Sequence, residues 1–261
     1  MTEDRLQELI DRVDKSEKVL VGLGEEFQYD WSALKEDSRY QEIEQEIDGR
    51  EDLIWIVPFL QKMILSGSRQ DKWKAAYANL RKILAGKDYF IVSLCMDDAI
   101  YEVGLQEERI VAPCGGFRKM QCDHNCRHVL SEMPQESYDA VVKYYRKEIS
   151  LWDLREPVCT DCGGKLRFNQ LGVTKYAEEG YLDQWNRYTR WLQGTVNRQL
   201  CVLELGVGME YPGIIRFPFE KVVFYNQKAL LYRVHSKLYQ TGEEIGDRGI
   251  GIRANAVDFL C

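Results

Sequence analysis

Two short cysteine pairs constrain this chain more than any other feature of its sequence. Cys122 and Cys126 are separated by three residues, Cys159 and Cys162 by two, and Gly163-Gly164 follows the second pair at once. Zinc takes four thiolates in a tetrahedron, and two knuckles of this spacing, brought together by a helical segment around residues 138–149, supply that geometry. His124 and His128 can each stand in for a cysteine, but four thiolates complete the site without them. A closed four-sulfur site leaves no position for water, so the expected Zn2+ is structural.

The rest of the chain must then supply a framework for that module. Residues 5–16 place Leu6, Leu9, Ile10 and Val13 at helical spacing, and Val19-Leu20-Val21 is a compact β-prone run ending in Gly22-Leu23-Gly24. From Asp71, the residues Trp73, Ala76, Tyr77, Leu80, Ile83 and Leu84 repeat at helical steps up to Gly86. Strands are expected at 89–94 and 109–112, with a short helix at 99–103 between them. A helix marked by Leu182, Trp185, Tyr188, Trp191 and Leu192 precedes a strand at 202–205, and further strands are expected at 222–224 and 230–234. Residues 25–69 carry a polar stretch and then an apolar one, and helices are placed there. Strands and helices that alternate in this way predict an α/β fold, a doubly wound parallel sheet carrying a small four-cysteine zinc-binding module. One domain, 1–261, is expected, with the zinc insert at 113–170 and the sheet built from 17–112 and 171–261.

Composition removes several alternatives. Acids outnumber Lys plus Arg by 42 to 35, a net charge of -7, which disfavours a nucleic-acid groove. The apolar run at 53–60 is interrupted by Pro58 and is far below the roughly 20 residues that cross a bilayer. The start, Met1-Thr2-Glu3-Asp4-Arg5, lacks the basic and apolar regions of a secretory leader, so a cytoplasmic location is expected.

Gly22-Leu23-Gly24 lacks the third glycine of a dinucleotide fingerprint, with Phe27 in its place. A second glycine turn, Gly206-Val207-Gly208, follows another apolar strand, and ligands of open α/β sheets bind at such strand ends. The order of glycine turn, acidic loop at Asp97, Pro113-Cys114-Gly115 turn, four-cysteine module and late glycine strand resembles the sirtuin family. The stretch 203–220, which includes Gly206-Val207-Gly208-Met209-Glu210-Tyr211-Pro212-Gly213, is similar to the microbial branch associated with macrodomain proteins. The resemblance covers about residues 70–260.

That resemblance implies a Rossmann-like NAD-binding sheet and assigns positions within it. The first glycine motif falls on Gly22, Leu23 and Gly24, and the late ribose-binding motif on Gly206, Val207 and Gly208. The family's Gln-Asn-x-Asp loop falls on Leu94, Cys95, Met96 and Asp97. Its catalytic histidine falls on Cys114, and the asparagine of its adenosine-side strand on His235. A thiol, with an ordinary pKa of about 8.5, is a poor replacement for imidazole as a general base near pH 7. The implied activity is therefore NAD-dependent ADP-ribosyl transfer or NAD cleavage, with Asp97 stabilising positive charge on the sugar, rather than standard deacylation. In the macrodomain-associated branch the implied acceptor is a protein, in some cases a lipoyl carrier, with a macrodomain protein reversing the mark.

Plainer roles fit the same residues. Cys95 and Cys114 can be small apolar fillers, and Asp97 can cap the helix starting at Ala99. His235 can be a hydrogen-bonded strand residue. Trp185, Tyr188 and Trp191 can simply face the core. A catalytically inactive NAD- or ADP-ribose-binding module or scaffold is thus the alternative, and an NAD-dependent protein deacylase the further one.

Overall fold

The computed structural model describes residues 2–68 and 70–261. Helix α1 (Thr2–Lys15) leads into β1 (Lys18–Leu23), which sends Val19, Val21 and Leu23 to one face and Leu20 to the other, as a two-residue repeat requires. Helices α2 (Ser32–Glu36), α3 (Ser38–Glu46) and α4 (Ile56–Gly67) follow, with Asp37 capping α3 through the Tyr40 amide. Then α5 (Asp71–Ile83) returns the chain to β2 (Asp88–Ser93) and the short β3 (Ile110–Val111). Strands β4 (Gly115–Cys122) and β5 (Ser131–Glu132), helix α6 (Gln135–Tyr145) and strand β6 (Leu166–Gln170) come next. The last third contains α7 (Leu182–Gln193), β7 (Leu200–Leu205), α8 (Arg216–Tyr225), β8 (Ala229–Val234), β9 (Gly249–Ile252) and α9 (Ala256–Leu260).

Six strands make one sheet in the order β3-β2-β1-β7-β8-β9, each neighbouring pair parallel. Parallel sheets must be covered on both faces, and this one is. Leu9 and Val13 of α1, Tyr77 and Leu80 of α5 and Phe259 of α9 pack on one face, while Tyr188 of α7 with Phe219 and Val223 of α8 pack on the other. A second, antiparallel sheet, β5-β4-β6, carries the first cysteine pair at its end.

Beneath the strand ends, Glu204 of β7 lies in register with Arg233 of β8. The guanidinium donates to both Glu204 oxygens at 2.6 and 3.0 Å and to Glu220 of α8 at 2.8 Å. Both partners of the first pair are fully buried, so the two-pronged geometry is what makes the charges tolerable there.

The sequence expectations differ from the structure at particular elements. Segment 222–224 is not a strand but the end of α8. A parallel crossover from β7 to β8 needs a helix, and Phe219 and Val223, four residues apart, bury one face of it. The helix expected around 138–149 begins and ends earlier, at Gln135–Tyr145. Strands β4, β5, β6 and β9 carried no recognisable pattern. Helices do occupy the stretch between 25 and 69.

Candidate functional site

The four cysteines meet between the end of β4 and the loop before β6. Their sulfurs all lie within 4.8 Å of one another. Cys122 Sγ is 3.4 Å from Cys162 Sγ, and Cys126 Sγ is 3.6 Å from Cys159 Sγ, close to the roughly 3.8 Å edge of a tetrahedron with zinc-sulfur bonds of about 2.3 Å. Gly163 turns the second knuckle at φ +72°. Gly164 then donates its amide to Cys162 Sγ at 3.4 Å, and a Cβ there would press on Cys122 Sγ at 3.0 Å. The backbone amides of Asp161 and Cys162 pull the Cys159 thiol down to about 7. Four thiols so placed suit structural zinc; His124 lies at their edge, Nδ1 3.7 Å from Cys162 Sγ and grouped with Cys122 and Asp123, while His128 stands apart beside Glu179.

The second constellation lies at the carboxyl ends of the large sheet, where β1 and β7 run side by side and the strand order reverses. Ligands of doubly wound sheets sit at this point. Here the two glycine turns are pressed together. Gly24 donates to the Leu205 carbonyl at 3.0 Å, and a Cβ on it would run into Val207 and the Gly206 carbonyl. Gly206, at φ +66°, would drive a Cβ to 2.5 Å from that of Glu26. Gly22 faces inward, toward Ile215 and Phe219.

Two residues that the sequence reading passed over dominate this crevice. Glu25 Oε2 accepts the Gly208 amide at 2.6 Å. Glu26 accepts the Ser236 amide on Oε1 at 3.0 Å and the Ala256 amide on Oε2 at 2.9 Å. The available signal was the Glu25-Glu26 pair directly after the glycine turn, an acidic choice where a ligand bearing negative charge is expected.

The other expected site residues are engaged in structure. Asp97 accepts the Tyr29 amide at 2.5 Å and the Ala99 amide at 2.9 Å, and burial pushes its carboxyl up to about 6. It does cap the turn at Ala99, and each of its oxygens has a partner. Cys95 is buried, its thiol raised well above the ordinary range by burial, with Sγ 3.4 Å from the Gly24 carbonyl. Cys114 has no exposed surface, and burial, followed by the charges of Glu210 and Glu25, pushes its thiol up to about 12. His235 Nδ1 accepts the amides of Lys237 and Leu238 at 3.0 and 3.1 Å and lies 3.3 Å from Glu26 Oε1, and burial lowers its pKa. Leu94 and Val207 are core residues; Met96 packs against that core. Leu23 ends β1 in the opposite core. Arg216 fastens the second glycine turn, donating to the Val207 carbonyl at 2.9 Å and to Leu238 at 2.8 Å.

Solved structures match this arrangement across nearly its whole length. A mutant Sir2 homologue in complex with ADP-ribose covers 97% of the chain and 93% of its own length, with a TM-score of 0.58 and 15% identity. A Sir2 homologue in complex with NAD covers 97% and 90%, with a TM-score of 0.57 and 15% identity. The chain has the sirtuin fold. No family model matches it. Among curated proteins, a protein ADP-ribosyltransferase of Staphylococcus aureus is 22% identical over 179 residues, 67% of this chain and 56% of that protein. A probable bifunctional ADP-ribose hydrolase/ADP-ribosyltransferase of Fusarium oxysporum f. sp. cubense is 28% identical over 143 residues, 53% of this chain and 24% of that protein. The chain therefore spans about half the length of the first relative and a quarter of the second.

Against the sirtuin fold, the donors of the crevice can be tested for fit to a dinucleotide. The amides of Gly208, Ser236 and Ala256 each point at a carboxylate oxygen, and the same donors suit the oxygens of a diphosphate. In this structure those donors are held by Glu25 and Glu26. Among the described residues, no helix is long and apolar enough to cross a membrane.

Proposed function

We propose that this sirtuin-fold protein takes part in NAD-dependent ADP-ribosyl transfer and not in lysine deacylation. The observation that carries this reading is Cys114, a fully buried thiol at about 12, in the position the sirtuin resemblance gives to the catalytic imidazole. Burial keeps such a thiol protonated near pH 7, where a general base must be free of its proton. The names of the two curated relatives support the transfer side of the choice.

Bound NAD would supply an electrophilic ribosyl carbon with nicotinamide as its leaving group. The chain's part is binding and electrostatics. The amides of Gly208, Ser236 and Ala256 would hold the diphosphate, with Arg216 keeping the 206–208 turn in place. Asp97 ties the segment at Tyr29 to the turn at Ala99 through one backbone amide on each oxygen. Glu210, whose charge reaches Cys114, gives the neighbouring space a negative potential that favours positive charge on a sugar. A protein acceptor, a lipoyl carrier among the candidates, follows from the family resemblance alone.

The test is transfer of labelled ADP-ribose from millimolar NAD to candidate protein acceptors, beside nicotinamide release with an acyl-lysine peptide. Label should move to protein or water, and the peptide should not be deacylated. Peptide deacylation that survives Cys114→Ala would overturn the proposal. A second reading, a binding module without turnover, is favoured by the carboxylates seated on the crevice amides, and predicts no label transfer under any condition.

A further inference from the structure

The glycines at the strand ends are used by the chain itself. The stem of Glu26 packs on Gly206, where a Cβ would lie 2.5 Å from Glu26 Cβ, and the Glu25 carboxylate rests on Gly208, whose Cβ would lie 3.0 Å from both of its oxygens. The close approach that a dinucleotide fold reserves for its ligand is taken here by two glutamates. Their partners are backbone amides from three separate segments, after β7, after β8 and at the start of α9. Glu26 bridges two of those segments, its two oxygens on two amides, and its side chain is only 12% exposed. It is therefore an ordered anion inside the crevice and not a solvated surface acid.

We infer that Glu25 and Glu26 form an internal anionic plug that occupies the amides of Gly208, Ser236 and Ala256, so that a diphosphate ligand binds only when the two carboxylates leave. The inference rests on the dinucleotide reading of the crevice. The plug and the ligand compete in two ways. They use the same donors, and their like charges repel at short range in a partly buried space. A site competent in only a minor fraction of molecules binds with its affinity reduced by that fraction. The chain's apparent affinity for ADP-ribose is thus set by how often residues 25–26 swing out. His235 Nδ1 lies 3.3 Å from Glu26 Oε1, but it accepts the amides of Lys237 and Leu238 and so is not placed to donate to the carboxylate.

The experiment is calorimetric titration of the full chain with ADP-ribose, and separately with inorganic pyrophosphate, for the wild type, Glu25→Gln/Glu26→Gln and Glu25→Ala/Glu26→Ala. The glutamine pair keeps side-chain length and one acceptor oxygen per residue, so it carries the test if the alanine pair fails to fold. Both variants should bind ADP-ribose at least about tenfold more tightly than the wild type, with pyrophosphate following the same order. Amide hydrogen exchange at Ser236 and Ala256 provides an independent readout. Protection should fall in the alanine pair and return when ADP-ribose is added. Equal, tight binding by all three proteins would overturn the plug and leave the dinucleotide reading standing. No binding by any folded variant would overturn both.

Discussion

Asp97 and Asp98 sit next to each other after β2, nearly buried, each with a carboxyl pushed up to about 6 by burial despite hydrogen bonds from backbone amides. Asp98 adopts φ 63° and accepts the Phe117 amide, so the pair ties the large sheet's loop to β4. A carboxyl whose folded pKa is raised adds stability at low pH, and that stability is lost as the pH climbs from the unfolded value near 3.8 through about 6. Between pH 7 and pH 5 each aspartate should therefore contribute a gain of about 1 kcal/mol to the stability measured by urea, set against an opposite contribution from His235, whose lowered pKa costs stability as the pH falls. Asp97→Asn should remove the Asp97 share and leave that of Asp98. Glu46 and Asp88, whose pKa values are lowered by partners, act only further down the acid range. An Asp97→Asn variant whose profile runs parallel to that of the wild type between pH 7 and 5 would count against the assignment. At this scale the sequence was readable wherever a residue acts with its neighbours, as Asp97 does in capping Ala99. It was silent on Glu25 and Glu26, because their partners lie 183, 210 and 230 positions away and leave no local pattern.

Between residue and molecule stand the elements. The parallel strands β1, β2, β7 and β8 were legible because burial on both faces makes them continuous apolar runs. Helix α8 was misread because Val222-Val223-Phe224 has strand propensity, and the requirement of the β7 to β8 crossover overrides it. The small sheet was illegible for another reason. It leans on the cysteine centre and on α4 and not on an alternating pattern of its own, with the tilted rings of Phe59 and Phe168 centred 4.8 Å apart. Removing the metal should accordingly loosen β4, β5 and β6 before the large sheet. Elemental analysis should find one zinc per chain, and Cys159→Ser should lose it. Amide exchange should then quicken in 115–170 while β1 and β7 stay protected. A variant that keeps a full zinc, or that melts everywhere at once, would contradict this division.

At the scale of the whole molecule, the central strand is the informative one. Strand β1 is bounded by β2 on one side and by β7 on the other, with Lys18 opposite Leu200 at one end of the register and Leu23 opposite Leu205 at the other. Half of its hydrogen bonds thus wait for a partner some 180 residues downstream. On a ribosome adding about 5–20 residues each second, that wait is on the order of ten to forty seconds. Throughout it, β1 presents an open, apolar edge suited to pairing with another nascent chain. Stalled chains ending before residue 200 should remain protease-sensitive and bind a chaperone, and protection should appear in one step once β7 has left the exit tunnel. The strand arrangement that places the crevice at the middle of the sheet also makes its first-made strand the one that waits longest for its second neighbour.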